Sequence, residues 1–358
     1  MSWRSLQDVI VCGGGPSQIK EIPLLLHQLS VHHDGHLAML TLLAPKSEWH
    51  APSPLYSLLS SPVTFAATSI YYASLALQRL PSQPTHPITV VCISDTHTQI
   101  PDQVPDGDVL IHAGDMCNLG DVVELQAQID WLRSLPHQHK IVISGNHDAF
   151  LDPRSRQSLP VNQRHGKLDF GNLQYLQHGD LELVFPEQGG RRLRVYGAPQ
   201  VPIDGPEHAF RYERGLDAWS ETIPDDVDIL ITHTPPKYHR DLPAALGCEW
   251  LLKETWRVRP GLHVCGHIHA GSGVETVRWD DCQKTYERIR HRASRGWTDG
   301  VLNPLNWLDL GLLYMMSLRN VIWSLVWGGE TQGGLLVNAA LMSQETGRVE
   351  QKPQVVTI

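Results

Sequence analysis

The chain has 358 residues, enough for one large domain or two modest ones around a substantial core. Apolar residues at 41% and charged residues at 19% exclude disorder of the chain as a whole. A formal charge of −9 argues against a general nucleic-acid binder, but it leaves room for a small phosphorylated substrate whose charge is offset by bound metal ions.

The first 88 residues differ from the rest. Asp8–Cys12 reads as a short strand ending in Gly13, Gly14 and Gly15, with a helix over Gln18–Leu29 and a strand over Leu37–Leu43 to follow. The full G-x-G-x-x-G spacing is absent, so a packing extension is favoured over a nucleotide site. From His50 to Gln78 there is no Asp, Glu, Lys or Arg. Such a span can reach across a membrane, but Pro52, Pro54, Pro62 and many Ser and Thr residues argue against a transmembrane helix. No secretory signal is visible. Cys12, Cys92, Cys117, Cys248, Cys265 and Cys282 form no C-x-x-C pair, and Cys92 and Cys265 sit in apolar runs. Free buried thiols fit a reducing compartment, so the expected location is cytoplasmic.

From residue 89 a rhythm sets in. Apolar strands are predicted at Ile88–Ile93, Val109–Ile111, Lys140–Ile143, Asp228–Ile231 and Leu262–Cys265, without the alternation of a half-exposed sheet. Between the second and third, Val122, Leu125, Ile129, Leu132 and Leu135 form a helical stripe that Pro136 ends. A hairpin is expected around Gly189 and Gly190, joining Leu181–Phe185 to Leu193–Tyr196. This order predicts an α/β fold, a sandwich of mixed sheets flanked by helices. It would carry the N-terminal extension 1–88 and an insertion at about 283–330.

The insertion opens with Lys284, Arg288, Arg290, Arg292 and Arg295, read as a solvated basic loop or as a site for anionic substrate or lipid headgroups. Val301–Trp327 then holds only Asp309 and Arg319 as charges. Its polar residues, Asn303, Asn306, Asp309, Ser317, Asn320 and Ser324, recur near the helical period and would line one narrow face. The wide apolar remainder must be covered by the core, a second copy of the chain, a peripheral membrane contact or substrate. Closing strands are expected at Gly334–Ala339 and Val355–Ile358.

Each central strand runs directly into metal-ligand chemistry. Asp95 and His97 follow the first, His112 and Asp115 the second, Asn146, His147 and Asp148 the third, His233 the fourth, and His267 and His269 the fifth. Loops at the carboxyl ends of parallel strands share one edge of a sheet, so the five clusters can converge. Oxygen and imidazole donors without thiolate suit Mn, Fe or Zn, and they outnumber the needs of one ion. Two divalent ions sharing a carboxylate is the natural reading.

In this order D-x-H, G-D, G-N-H-D, H and G-H-x-H resemble the calcineurin-like metallophosphoesterase superfamily. Ser94-Asp95-Thr96-His97, Gly107-Asp108-Val109-Leu110-Ile111-His112 and Gly266-His267-Ile268-His269 resemble in particular the branch of brain metallophosphoesterase-domain proteins, related to class III cyclic nucleotide phosphodiesterases. The likeness covers about 89–280 and then 334–358. It implies that Asp95, His97 and His269 hold one metal, that Asn146, His233 and His267 hold a second, and that Asp115 bridges them. It further implies that a hydroxide between the metals attacks phosphorus.

His147 would then face substrate, stabilising the phosphoryl group or protonating the leaving oxygen. Some relatives place a carboxylate three residues after the bridging Asp to hold this His; here that position is Asn118, which puts the pairing in doubt. Asp148 either orients a neighbour or ends the turn, and His112 is expected to pack behind the ligands. Tyr238 and His239 either line the pocket or lie on the surface. The expected substrate is a small phosphate ester, with a diester favoured by the branch. The alternatives are a monoester or pyrophosphate on an amphiphilic molecule, or a metal-binding scaffold without catalysis.

Overall fold

The computed structural model describes residues 42–79, 85–203, 209–293, 300–328 and 333–358. The expected elements before Leu42, with Cys12 and Arg295, lie outside the described residues.

Two sheets form the centre. In the first, strands β1 (Thr89–Ile93), β2 (Val109–His112), β3 (His139–Val142) and β4 (Gln174–Tyr175) run parallel, and the terminal strand Gln354–Thr357 pairs antiparallel with β1. The second sheet contains β5 (Gly179–Phe185), β6 (Arg191–Ala198), β9 (Ile229–Thr232), β10 (Leu262–Cys265), β11 (Gly273–Val277) and β12 (Gly334–Asn338). Its order is β11-β12-β10-β9-β6-β5, with the four inner strands parallel and the edges antiparallel. The short pair β7 (Val201–Pro202) and β8 (Arg211–Tyr212) stands apart, and Gln354–Thr357 is β13. The sandwich of mixed sheets flanked by helices is therefore the fold of this chain.

Alternation along β1 explains the layers. Val90 and Cys92 join Ile111, Ile141, Phe185, Val195, Ile231 and Val264 in the core between the sheets, whereas Val91 and Ile93 face outward. Both faces are buried, so the strands read as continuous apolar runs. Helix α3 (Val122–Ser134) covers the outer face of the first sheet with Leu125 and Leu132. Its N-cap Asp121 accepts from the amides of Val123 (2.8 Å) and Glu124 (2.9 Å). Helix α4 (Glu249–Val258) covers the second sheet with Leu251 and Val258.

The uncharged span 50–78 is two helices, not one. Ser53 caps α1 (Pro54–Ser60), and Pro62 starts α2 (Pro62–Leu77) where a proline costs no hydrogen bond. Val63, Ala67 and Tyr71 of α2 pack on Cys282, Tyr286 and Ile289 of α5 (Asp281–Ala293) and on Leu313 of α6 (Pro304–Trp327). The described helices of the extension and the insertion thus build one layer. The basic run is helix rather than solvated loop: Arg288 donates to both carboxylate oxygens of Asp309 at 2.8 Å, and Arg292 donates to the same group at 2.6 Å.

Helix α6 reverses the usual orientation. Asn306, Asp309, Ser317, Asn320 and Ser324 are its buried residues, with Leu313. Leu308, Met315, Val326 and Trp327 are each more than 60% exposed, and Trp307 and Trp323 are half-exposed. Of the four coverings weighed for the apolar face, the core is the one excluded, because Arg288 and Arg292 of α5 draw the polar stripe inward instead. Among the described residues α6 is the one helix long and apolar enough, by length and composition, to cross a membrane.

His239 lies neither in the metal site nor on the surface. It is 1% exposed, with Nδ1 2.7 Å from Glu275 and Nε2 3.0 Å from Glu287. Tyr72 of α2 donates to Glu275 at 2.9 Å, and Trp256 of α4 donates to Glu287 at 2.9 Å, so this knot joins the helical layer to the sheets. Burial opposes the imidazolium, but the two carboxylates outweigh it and raise the His239 pKa well above its ordinary value. A raised pKa contributes stability that is complete below about 6.5 and is lost only as pH climbs through the higher folded value. His239→Ala leaves Glu275 buried without its cation. It is expected to cost about 3–5 kcal/mol at neutral pH in a urea melt; a loss under about 1 kcal/mol would show that the pair is not a fastening.

Candidate metal centre

The five loops at the carboxyl ends of β1, β2, β3, β9 and β10 converge, but they do not share the edge of one sheet. Those after β1, β2 and β3 end the first sheet and those after β9 and β10 end the second, and the packing of the two sheets face to face brings both sets together. Three groups of donors each have ligand atoms within 4.8 Å of one another: Asp95, His97 and His269; His97, Asp115 and His147; Asp115, His233 and His267. Asp115 Oδ2 lies 3.2 Å from His233 Nε2 and 3.7 Å from His97 Nε2, while Asp95 Oδ1 lies 3.3 Å from His269 Nε2. Asn146 Oδ1 is 3.0 Å from His233 Nε2. All seven predicted ligands therefore stand in one place, nearly closed to solvent on the side of Asp95 and His233. Buried carboxylates and imidazoles converging without thiolate are a donor set that fits Mn, Fe or Zn.

The backbone is bent to make this arrangement. Asp95, His97, Asp115 and His267 have φ of 53°, 44°, 56° and 67°, in the left-handed region that side chains avoid. Compensating bonds hold them: Asp95 N–H donates to Gly114 O (2.9 Å), His97 N–H to Asp115 O (3.1 Å), and His267 N–H to the Asp95 carboxylate (3.1 Å). Two glycines allow the close approach. A Cβ on Gly145 would sit 2.2 Å from Asp115 Oδ1, and one on Gly266 would sit 2.3 Å from Asp95 Oδ2.

Supporting residues have distinct tasks. Asp148 is fully buried and accepts amides from Gly145 (2.8 Å), Asp115 (3.0 Å) and Cys117 (3.1 Å), tying the β2 loop to the β3 loop. Burial and the nearby Asp115 charge push its pKa up to about 7. His112 packs behind the ligands, with Nε2 3.0 Å from Thr96 Oγ1. Asn118 Nδ2 donates to His97 O (3.0 Å), and its backbone carbonyl lies 2.9 Å from His147 Nδ1. A main-chain oxygen thus occupies the role that the sequence comparison reserved for a carboxylate. Sequence reasoning also missed Trp49, whose ring lies edge-on to His267 at 5.5 Å; nothing local marks it, because the contact spans more than 200 residues.

The charges are strongly interdependent. Burial disfavours the Asp95 carboxylate, but hydrogen bonding to His269 and the nearby His233 outweigh this and hold its pKa below the ordinary range. Burial likewise disfavours the His233 imidazolium, yet Asp115 pushes its pKa up to about 10. A metal ligand must be neutral imidazole, so binding at His233 displaces a proton below that value. Metal affinity is expected to rise with pH from neutrality toward about 10, with proton release seen by calorimetry in buffers of different ionisation enthalpy. Affinity independent of pH, with no proton released, would remove His233 from the ligand set.

Residues 88–271 match the family model of calcineurin-like phosphoesterases. The chain is 40% identical over 283 residues to a probable rhamnogalacturonate lyase C of Emericella nidulans, covering 78% of this chain and 25% of that protein. It is 37% identical over 212 residues to a UPF0046 protein of Caenorhabditis elegans, covering 53% of this chain and 71% of the relative. It is 41% identical over 202 residues to human metallophosphoesterase domain-containing protein 1, covering 51% and 61%. The chain thus spans a quarter of the fungal relative and under two thirds of the human one. The 283-residue match is longer than the 88–271 segment, so likeness to the fungal protein continues into the flanking residues. With five donor loops converging from two packed sheets and a family model matched across them, the chain belongs to the calcineurin-like phosphoesterase family.

Proposed function

We propose that this chain hydrolyses a small phosphodiester at a centre for two divalent ions, with Asp115 shared between them. The observation that carries the reading is the appearance of Asp115 in two donor groups, one with His97 and His147 and one with His233 and His267. One ion would take Asp95, His97, His269 and Asp115; the other would take Asp115, Asn146, His233 and His267. Bound there, the ions would supply Lewis acidity toward the phosphoryl oxygens and an activated water. The protein's own contribution is positional. Asp148 and the left-handed loops fix the donors in advance, which lowers the reorganisation needed during reaction. His147, held through Nδ1 by the Asn118 carbonyl, presents the remaining ring nitrogen for proton transfer to the departing oxygen.

Hydrolysis of bis-p-nitrophenyl phosphate by Mn²⁺-loaded protein tests this, beside p-nitrophenyl phosphate as the monoester. Faster turnover of the diester is the expected result. A reversed preference would assign the site to monoesters, and absent turnover with metal bound would assign a silent scaffold.

A second reading, an amphiphilic phosphate ester met at a lipid surface, is favoured by the bare face of α6. Its polar side is tied to the charged helix α5, so α6 suits lying in the interface better than spanning the bilayer. Its exposed Trp307, Tyr314, Trp323 and Trp327 are residue types that settle at the headgroup level. The protein is expected to float with phosphatidylcholine vesicles, and a variant with all three tryptophans changed to Ser to stay behind. Wild type that does not float but sediments as a dimer would give the face to a second copy.

A further inference from the structure

Among the described residues, the N-terminal extension reaches the metal centre through Trp49. Residues 46–51 form a strap fastened to the far end of the chain: Lys46 pairs with Glu345, and His50 Nε2 lies 3.7 Å from the same carboxylate. The strap is turned tightly, with His50 N–H donating to Ser47 O (3.1 Å), Ser47 Oγ 2.8 Å from His50 Nδ1, and Trp49 N–H donating to Ser47 Oγ (3.3 Å). The turn delivers the Trp49 indole edge-on to His267, with centroids 5.5 Å apart and planes at 87°. Trp49 is partly exposed rather than sealed in the core. His50 and Ala51 next wall a cavity of about 410 Å³ that extends to Ala270, the residue after His269. Gln351, across that cavity, donates to His269 O at 2.9 Å. The rim from His267 to His269 is therefore bounded by the strap.

We propose that Trp49 is a specificity-determining wall of the substrate site, receiving a flat, aromatic arm of the phosphate ester while the phosphoryl group sits among the metal ligands. This rests on the phosphoesterase reading above and adds the chemical class of the ester's organic arm. Indole is large and rigid, so it binds a planar ring at little entropic cost; an alkyl arm gains less. A polar strap residue would not discriminate between the two, and a ring serving only to pack against His267 would not need the solvent access that Trp49 keeps.

The test uses the full chain loaded with Mn²⁺ and two non-hydrolysable probes, phenylphosphonate and methylphosphonate, measured by calorimetry and as inhibitors of bis-p-nitrophenyl phosphate hydrolysis. Wild type should prefer phenylphosphonate by about three- to tenfold. Trp49→Ala should lose that preference while keeping its affinity for methylphosphonate and Mn²⁺, and Trp49→Phe should keep most of it. A second readout is independent of turnover: Co²⁺ should quench a component of the tryptophan emission that is missing in Trp49→Phe. An unchanged phenyl preference in Trp49→Ala overturns the proposal, as does equal weakening of both probes, which would mark a prop for His267. If methylphosphonate fails to bind metal-loaded wild type and no ester turns over, the phosphoesterase reading falls and this proposal falls with it. If methylphosphonate binds and turnover proceeds without a phenyl preference, only the role of Trp49 falls.

Discussion

Asp115→Asn is expected to lower turnover of bis-p-nitrophenyl phosphate by about 10³-fold or more, since loss of a single oxyanion-hole donor already costs about 10²–10³. The substitution keeps shape and removes charge. Asn retains an oxygen to accept the His147 amide, which donates to Asp115 Oδ1 at 2.8 Å, and the main-chain bonds of residue 115 are untouched. Its left-handed backbone, at φ 56°, is one that Asn adopts more readily than most side chains. The fold should therefore survive. What goes is the anion that stands 3.2 Å from His233 and 3.7 Å from His97, and with it the shared ligand of two donor groups. Metal analysis by inductively coupled plasma emission should show fewer ions per chain than in wild type. Circular dichroism should coincide for the two proteins. Wild-type activity in the variant would defeat the bridging assignment.

Much of this centre was legible because the strands announce their own ends. Buried parallel strands read as apolar runs, and the first polar residue after each run is a member of the converging donor set or its neighbour: Asp95 after Ile93, His233 after Thr232 at the end of β9, His267 after Cys265 and Gly266. Parallel pairing accounts for convergence within each sheet, but the meeting of the β1–β3 loops with the β9 and β10 loops depends on how two sheets pack, which no strand pattern records. The conformation of the loops was not legible. Asp95, His97, Asp115 and His267 are left-handed without being Gly or lying in a turn of recognisable composition, and only the packed surroundings hold them there. The direction in which α6 faces was hidden for a different reason. Periodicity locates a polar stripe but does not say whether water or a buried partner satisfies it. The answer lies on another element, in Arg288 and Arg292 of α5. The burial of His239 and the reach of Trp49 depend likewise on segments far apart in sequence. The carboxylate–imidazole knot brings together Tyr72, His239, Trp256, Glu275 and Glu287, and no local pattern records that meeting.

His147→Ala is the second substitution with a large expected effect, a fall in kcat of about 10²–10⁴. The absence of a carboxylate at position 118 put its partner in doubt, but the structure supplies one in the Asn118 main-chain carbonyl, 2.9 Å from Nδ1. A carbonyl accepts and does not donate, so this bond places the proton on Nδ1 in the neutral ring and leaves Nε2 to exchange a proton with substrate. A carboxylate partner would also favour the imidazolium electrostatically, whereas a carbonyl mainly sets tautomer and orientation. The ring lies against His97, with centroids 4.8 Å apart and planes at 79°, so its position is fixed relative to the donors. If His147 protonates the departing oxygen, the loss should grow with the basicity of that oxygen. Methyl phenyl phosphate, which releases a basic phenolate, should suffer far more than bis-p-nitrophenyl phosphate, whose nitrophenolate leaves without help. Metal content should be unchanged, because Asn146 rather than His147 is the proposed ligand from this loop. Equal losses on both esters would assign His147 to holding a phosphoryl oxygen instead, and a loss of metal would move it into the ligand set with His97 and Asp115, the two donors whose atoms lie within 4.8 Å of its own.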